Sequence, residues 1–204
     1  MEVQDILNIV QEIGETRSIE LKKSMSWQEK ETQFKITKSI MAFSNIRDGG
    51  KIILGVNEDE NGKFQPKGMT NNDFDSFRQD LLSDYVNTFV NPYANFKVNH
   101  VTNGTLNFVV IDVKEFDRSP VLCKKDYNVD RDKIIREGDI ITRTTTRRFE
   151  SARVRTHIDM QEIIDLAVEK GLRKFIQTAQ TAGITLTQGK SEDELFEEEL
   201  GNEI

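Results

Sequence analysis

The sequence predicts an α/β fold of the α+β kind: a mixed, largely antiparallel sheet flanked by helices in a single lobe, followed by a C-terminal helix. Three observations predict it. Apolar residues recur at helical spacing in four separate stretches, short strand-like runs lie between them, and an Asn103-Gly104 dipeptide separates two of those runs as a hairpin turn would.

The elements follow in order. Val3, Ile6, Leu7, Val10 and Ile13 mark a helix over 2–13, with Gly14 as its stop. Ser18 to Lys22 alternates polar and apolar, as a half-buried strand does. Residues 29–45 read as a second helix, carried by Phe34, Ile36, Ile40, Met41 and Phe43. Asp48-Gly49-Gly50 then turns the chain into a buried strand, Lys51 to Val56, and Asn61-Gly62 makes a further turn. The two glycines Gly49 and Gly50 are read as chain-reversal residues at positive φ and not as a phosphate loop. Helical period returns from Asp73 to Val90 and ends at Pro92. The hairpin pairs 96–101 with 106–113, and short strands follow at 120–124 and 133–143. A long helix over 157–178 is interrupted or bent near Gly171. The organisation is therefore one lobe over 1–155, a helical segment over 156–180, and an acidic, mobile tail over 181–204.

With 204 residues, 36% of them hydrophobic and 12 of them Phe, the chain has enough apolar side chain for a real core. No apolar run of about 18 residues predicts a membrane span, and the N-terminal stretch has neither the basic start nor the apolar segment of a signal peptide. A single Cys123 excludes a disulfide framework. The expected location is the cytoplasm. The net charge of −7 comes from the tail, because 191–204 holds seven acids and no base, which leaves 28 acids against 28 bases in 1–190. Within that neutral body Arg143, Arg147, Arg148, Arg153 and Arg155 are opposed only by Glu150, a local concentration able to hold phosphates or, equally, to form surface salt bridges.

Several chemistries are set aside. Gly189-Lys190-Ser191 resembles the end of a phosphate-binding loop, but Ile184 stands where its first glycine belongs. His100 and His157 have no metal-ligand spacing, and nothing marks a serine nucleophile. Any catalysis must run on carboxylates, lysines and arginines. One constellation remains. Glu20 and Lys22 lie two apart on a strand and so project from one face, Glu15 stands just before it, and Glu58 follows the next strand. If those strands are neighbours, Glu15, Glu20 and Glu58 can converge on one cation with Lys22 beside it. The alternative is ordinary charged strand ends with cross-strand pairs.

The strings Glu15…Ile19-Glu20-Leu21-Lys22, Ile40-Met41-Ala42-Phe43-Ser44-Asn45 and Gly49 to Glu58 resemble the Schlafen/AlbA_2 domain family, whose pattern is E-F/L-K, A-F-A-N and G-G followed by a strand ending in G-V-D-D. Ser119-Pro120-Val121-Leu122 and Ile135-Arg136-Glu137-Gly138 with Thr142 to Thr146 match its later segments, so the likeness runs over roughly 10–155. The resemblance implies a metal-dependent endonuclease, with RNA of the transfer-RNA type as first substrate and DNA second. Glu15, Glu20 and Glu58 would hold Mg²⁺ or Mn²⁺, Lys22 would steady the transition state, and Arg136, Arg143, Arg147 and Arg148 would grip the backbone. Asn57-Glu58 departs from the D-D of the pattern, and 45–50 is one residue longer than usual. Nuclease members often use two lobes, which implies a homodimer or a partner lobe here. The alternatives are a non-catalytic DNA- or RNA-binding regulatory module, or a partner-binding component of a defence or toxin–antitoxin system.

Overall fold

The computed structural model describes residues 1–129, 134–144 and 149–184. The chain divides into two compact units, Met1–Ala167 and Val168–Ile204. In the first, helix α1 (Val3–Asn8) runs into a π-helical turn, Ile9–Ile13, and stops at Gly14, whose φ of 70° suits a residue without a Cβ. Strand β1 (Ile19–Lys22) follows, then α2 (Lys30–Ser44) and β2 (Gly50–Leu54). The expected hairpin is present as β6 (Phe96–Thr102) and β7 (Asn107–Val113). These four strands form one sheet in the order β1-β2-β7-β6, with β1 parallel to β2 and the other pairs antiparallel.

Period-2 alternation divides this sheet between two apolar layers. Ile52 and Leu54 of β2 and Val109, Ile111 and Val113 of β7 face one side, where α2 packs through Phe34, Ile36, Ile40 and Phe43. Ile53, Phe108 and Val110 face the other, covered by Val3, Ile6 and Val10 of the first helix. Leu21 belongs to that second layer, so its neighbours Glu20 and Lys22 are turned toward the α2 side. The register sets Glu20 beside Ile52 and Lys22 beside Leu54, both fully buried. A charged pair is therefore placed on the edge strand of the larger apolar layer.

The structure departs from the sequence reading at several points. The strand expected through Val56 ends at Leu54. Gly55, at φ 106°, redirects the chain, and β3 (Val56–Glu58) pairs instead with β4 (Phe64–Pro66), a strand too short to show in the sequence pattern. The helix expected over 73–90 is two: α3 (Asn71–Ser76), capped by the Thr70 side chain, and α4 (Gln79–Phe89). Apolar periodicity spans the break because Phe77 leaves the helix yet is completely buried. Gly49 has the positive φ expected of it; Gly50 does not, and the second left-handed residue of this turn is Asp48.

After α4, β5 (Val90–Asn91) pairs with β8 (Leu122–Cys123), and β9 (Tyr127–Asn128) pairs with β10 (Ile134–Ile135). The hairpin β11 (Ile141–Arg143) and β12 (Ser151–Arg153) packs on α2. Asn45, 1% exposed, holds this part together: its side chain donates to the carbonyls of Val121 and Ile141 and accepts from the Val121 N–H. Helix α5 (His157–Thr181) is not interrupted at Gly171, and its first turns bury Ile163 and Leu166 in the first unit. In the second unit α5 continues to Thr181. The acidic stretch 191–204 lies outside the described residues.

Candidate nucleic-acid interface

Glu20 is the centre of a charge cluster. It is 8% exposed, and its Oε1 lies 2.5 Å from the Lys22 ammonium. Its Oε2 is 3.6 Å from Nη1 of Arg143 and accepts no hydrogen bond among the described residues. Burying a carboxylate on an apolar face is costly unless cations compensate it, and here two do.

Arg143 stands on β11 and is 2% exposed. Its Nη2 and Nε donate to the carbonyls of Thr16 and Arg17 at 3.0 and 3.3 Å, while its CZ sits 5.1 Å from the Phe43 ring centroid. Arg17 returns the contact by donating from Nε to the Arg143 carbonyl, and grips Glu162 of α5 with both terminal nitrogens at 2.6 Å. The lead into β1, the β11 strand and α5 are thus tied at one point. Burial holds the Arg143 guanidinium below its ordinary pKa, opposed by the carboxylates of Glu20, Glu15 and Glu150.

Glu15 approaches the cluster from the turn before β1 and accepts from the Leu21 N–H at 2.9 Å. Burial raises its pKa; the Leu21 bond opposes this, the Glu20 charge adds to it, and Arg143 and Lys22 lower it. Lys38, on α2, completes the group. Burial lowers its pKa, Glu20 and Glu150 act in the opposite sense, and the charge of Lys22 lowers it further. Lys38 makes no contact ion pair among the described residues.

The structure brings Glu15, Glu20 and Lys22 together, but not Glu58. Since β1 and β2 run parallel with Glu20 opposite Ile52, Glu58 comes six residues further along the chain, beyond the Gly55 bend, and is exposed. Among the described residues no three His, Cys, Asp or Glu side chains are grouped to hold a metal ion. The donor chemistry agrees: Glu20 already faces two cations and Glu15 is engaged with a backbone N–H, so the three glutamates do not fit a common metal in this arrangement. Arg136 is exposed and donates its backbone N–H to Asp139. Arg143 faces Glu20 and not solvent. Arg147 and Arg148 lie outside the described residues. Lys38 was not legible as a site residue, because on α2 it is one of three lysines, with Lys30 and Lys35; only packing reveals which face it takes.

These features define a single α/β lobe with a buried acid–base cluster on the edge strand of a mixed sheet. The chain belongs to the Schlafen, AlbA_2 family, whose model matches residues 15–147. Among solved structures it is similar to the N-terminal domain of a RecG-related protein from Nitrosomonas europaea, at 19% identity and a TM-score of 0.48, covering 77% of this chain and 97% of that one. It is also similar to the DIP2311 protein from Corynebacterium diphtheriae, at 18% identity and a TM-score of 0.45, over 74% of this chain but only 29% of that one. Comparison with curated proteins returns no match. Family membership supports a nucleic-acid-related role. Among the described residues no helix is long and apolar enough to cross a membrane.

Proposed function

We propose that this chain binds nucleic acid at the face formed by Lys22 and Lys38, as a reader of the phosphate backbone. The observation that carries the reading is Lys38: a half-buried ammonium next to a second lysine, with no contact ion pair among the described residues. An arriving phosphate supplies a contact partner in addition to the charges of Glu20 and Glu150. Arg143 and Glu20 behind it set the position of Lys22 and do not touch the strand. The order of RNA before DNA rests on the family resemblance alone, and a groove long enough for a folded RNA requires a second copy of the lobe or a partner.

A second reading, a metal-dependent endonuclease, draws on the meeting of two carboxylates, Glu15 and Glu20, with Lys22. Among the described residues no three His, Cys, Asp or Glu side chains are grouped as the ligand set this reading calls for.

Labelled transfer RNA and single-stranded DNA incubated with the protein in Mn²⁺, in Mg²⁺ and in chelator, beside Glu20→Gln, separate the two. The reader predicts binding in chelator and no cutting in any condition. Metal-dependent cutting that Glu20→Gln abolishes would replace it with the nuclease. Absence of binding to either nucleic acid would overturn both.

A further inference from the structure

The geometry points to a base-accepting pocket next to Lys38: one unstacked nucleobase of a bound single strand enters it and donates an N–H to Asp159. This inference rests on the nucleic-acid reading above and adds to it the part of the strand that is recognised.

A cleft of about 470 Å³ opens between α2, β10, the β11–β12 hairpin and the start of α5. That size falls within the roughly 300–1,000 Å³ of pockets that take small organic groups. Phe34, Ile135 and Ile141 give it an apolar wall, and Lys38 and Arg155 stand at its sides. Asp139, also in the wall, is already held by Arg153 at 2.7 Å.

Asp159 is the decisive group. It is 3% exposed and closes the first turn of α5 by a reciprocal cap: its Oδ2 accepts from the Thr156 hydroxyl at 2.6 Å, and its N–H donates to Thr156 Oγ1 at 3.1 Å. The cap uses one carboxylate oxygen. Among the described residues the other, Oδ1, is buried and has no hydrogen-bond partner, and neither does the buried Oγ1 of Thr144 in the same wall. A buried polar atom without a partner is destabilising, so two around one cleft call for an occupant that satisfies them.

The occupant must be flat and partly apolar, must carry an N–H donor for Asp159, and must lie next to an anion that Lys38 and Arg155 can hold. A base still joined to its backbone phosphate meets all of these. Bases of single strands are free to present such edges, whereas paired bases are not. The apolar wall then supplies the desolvated contact that favours base insertion.

The test measures binding of two hexamers in chelator, one of ordinary nucleotides and one with every base removed, to the wild type, Asp159→Asn and Thr144→Val. The asparagine keeps an oxygen for the Thr156 cap but turns a donor toward the base. The wild type is expected to prefer the base-bearing hexamer about tenfold or more. In both variants that ratio falls toward one while affinity for the abasic hexamer stays unchanged, and a cooperative thermal transition shows that each variant is folded. Thr144→Val serves should Asp159→Asn unfold. Equal binding of both hexamers by the wild type, or an unchanged ratio in the folded variants, would overturn the pocket while leaving backbone binding intact. Failure to bind either hexamer would overturn the nucleic-acid reading itself, and the pocket with it.

Discussion

Arg143 and Glu20 face each other at 3.6 Å inside the lobe, joining the β11 hairpin to the edge strand of the main sheet. Removing the arginine alone leaves a buried carboxylate paired only with Lys22, takes the side-chain donor from the Arg17 carbonyl, and leaves the Thr16 carbonyl with the Ile19 N–H alone. Arg143→Met is therefore expected to cost about 3–5 kcal/mol in urea unfolding. Adding Glu20→Leu removes the stranded charge, so the double variant should lose at least about 1 kcal/mol less than the two single losses combined. Strict additivity would mean that the two groups do not interact.

Glu15 gives the cluster a pH signature. Its carboxyl binds a proton more tightly in the folded chain than the ordinary 4.5 of a free glutamate, chiefly through burial. Between those two values the folded state carries more protons than the unfolded state, so stability from this group is full at lower pH and is lost as pH rises through the folded pKa. Glu15→Gln keeps an oxygen for the Leu21 N–H and removes the titration. Unfolding free energies measured from pH 4 upward should show the variant gaining on the wild type as pH increases; parallel curves would contradict the account.

Asn45 tests the frame that holds the site. Its amide makes three buried hydrogen bonds that no water can replace without rearrangement. Asn45→Ala should lower stability by about 3 kcal/mol, read from chemical denaturation, and loosen β11, read as faster amide exchange at Ile141 to Arg143. A change under 1 kcal/mol would show that the bonds are readily substituted.

The sequence made much of this legible, for reasons that differ by element. Glu20 and Lys22 could be assigned to one face because strand alternation is strict, and the salt bridge between them follows from it. The β6–β7 hairpin announced itself through Asn103-Gly104. The rule stops short of Glu58: alternation carries no warning that Gly55 bends the chain into a different hairpin. Phe77 hid a helix break because burial, not helix geometry, sets its place in the apolar pattern. Arg143 looked like one of five surface arginines, since charge density in sequence says nothing about which guanidinium is turned inward. Lys38 and Asp159 needed tertiary packing to be seen at all.

The central claim is that Lys38 meets a phosphate. Affinity of a labelled single-stranded RNA for the wild type and Lys38→Met, followed by fluorescence anisotropy from about 50 to 200 mM salt in chelator, tests it most directly. The account predicts weaker binding in the variant at every salt concentration and a slope of log affinity against log salt smaller by about one unit, with no loss of folding stability. Superimposable salt titrations for the two proteins would contradict it.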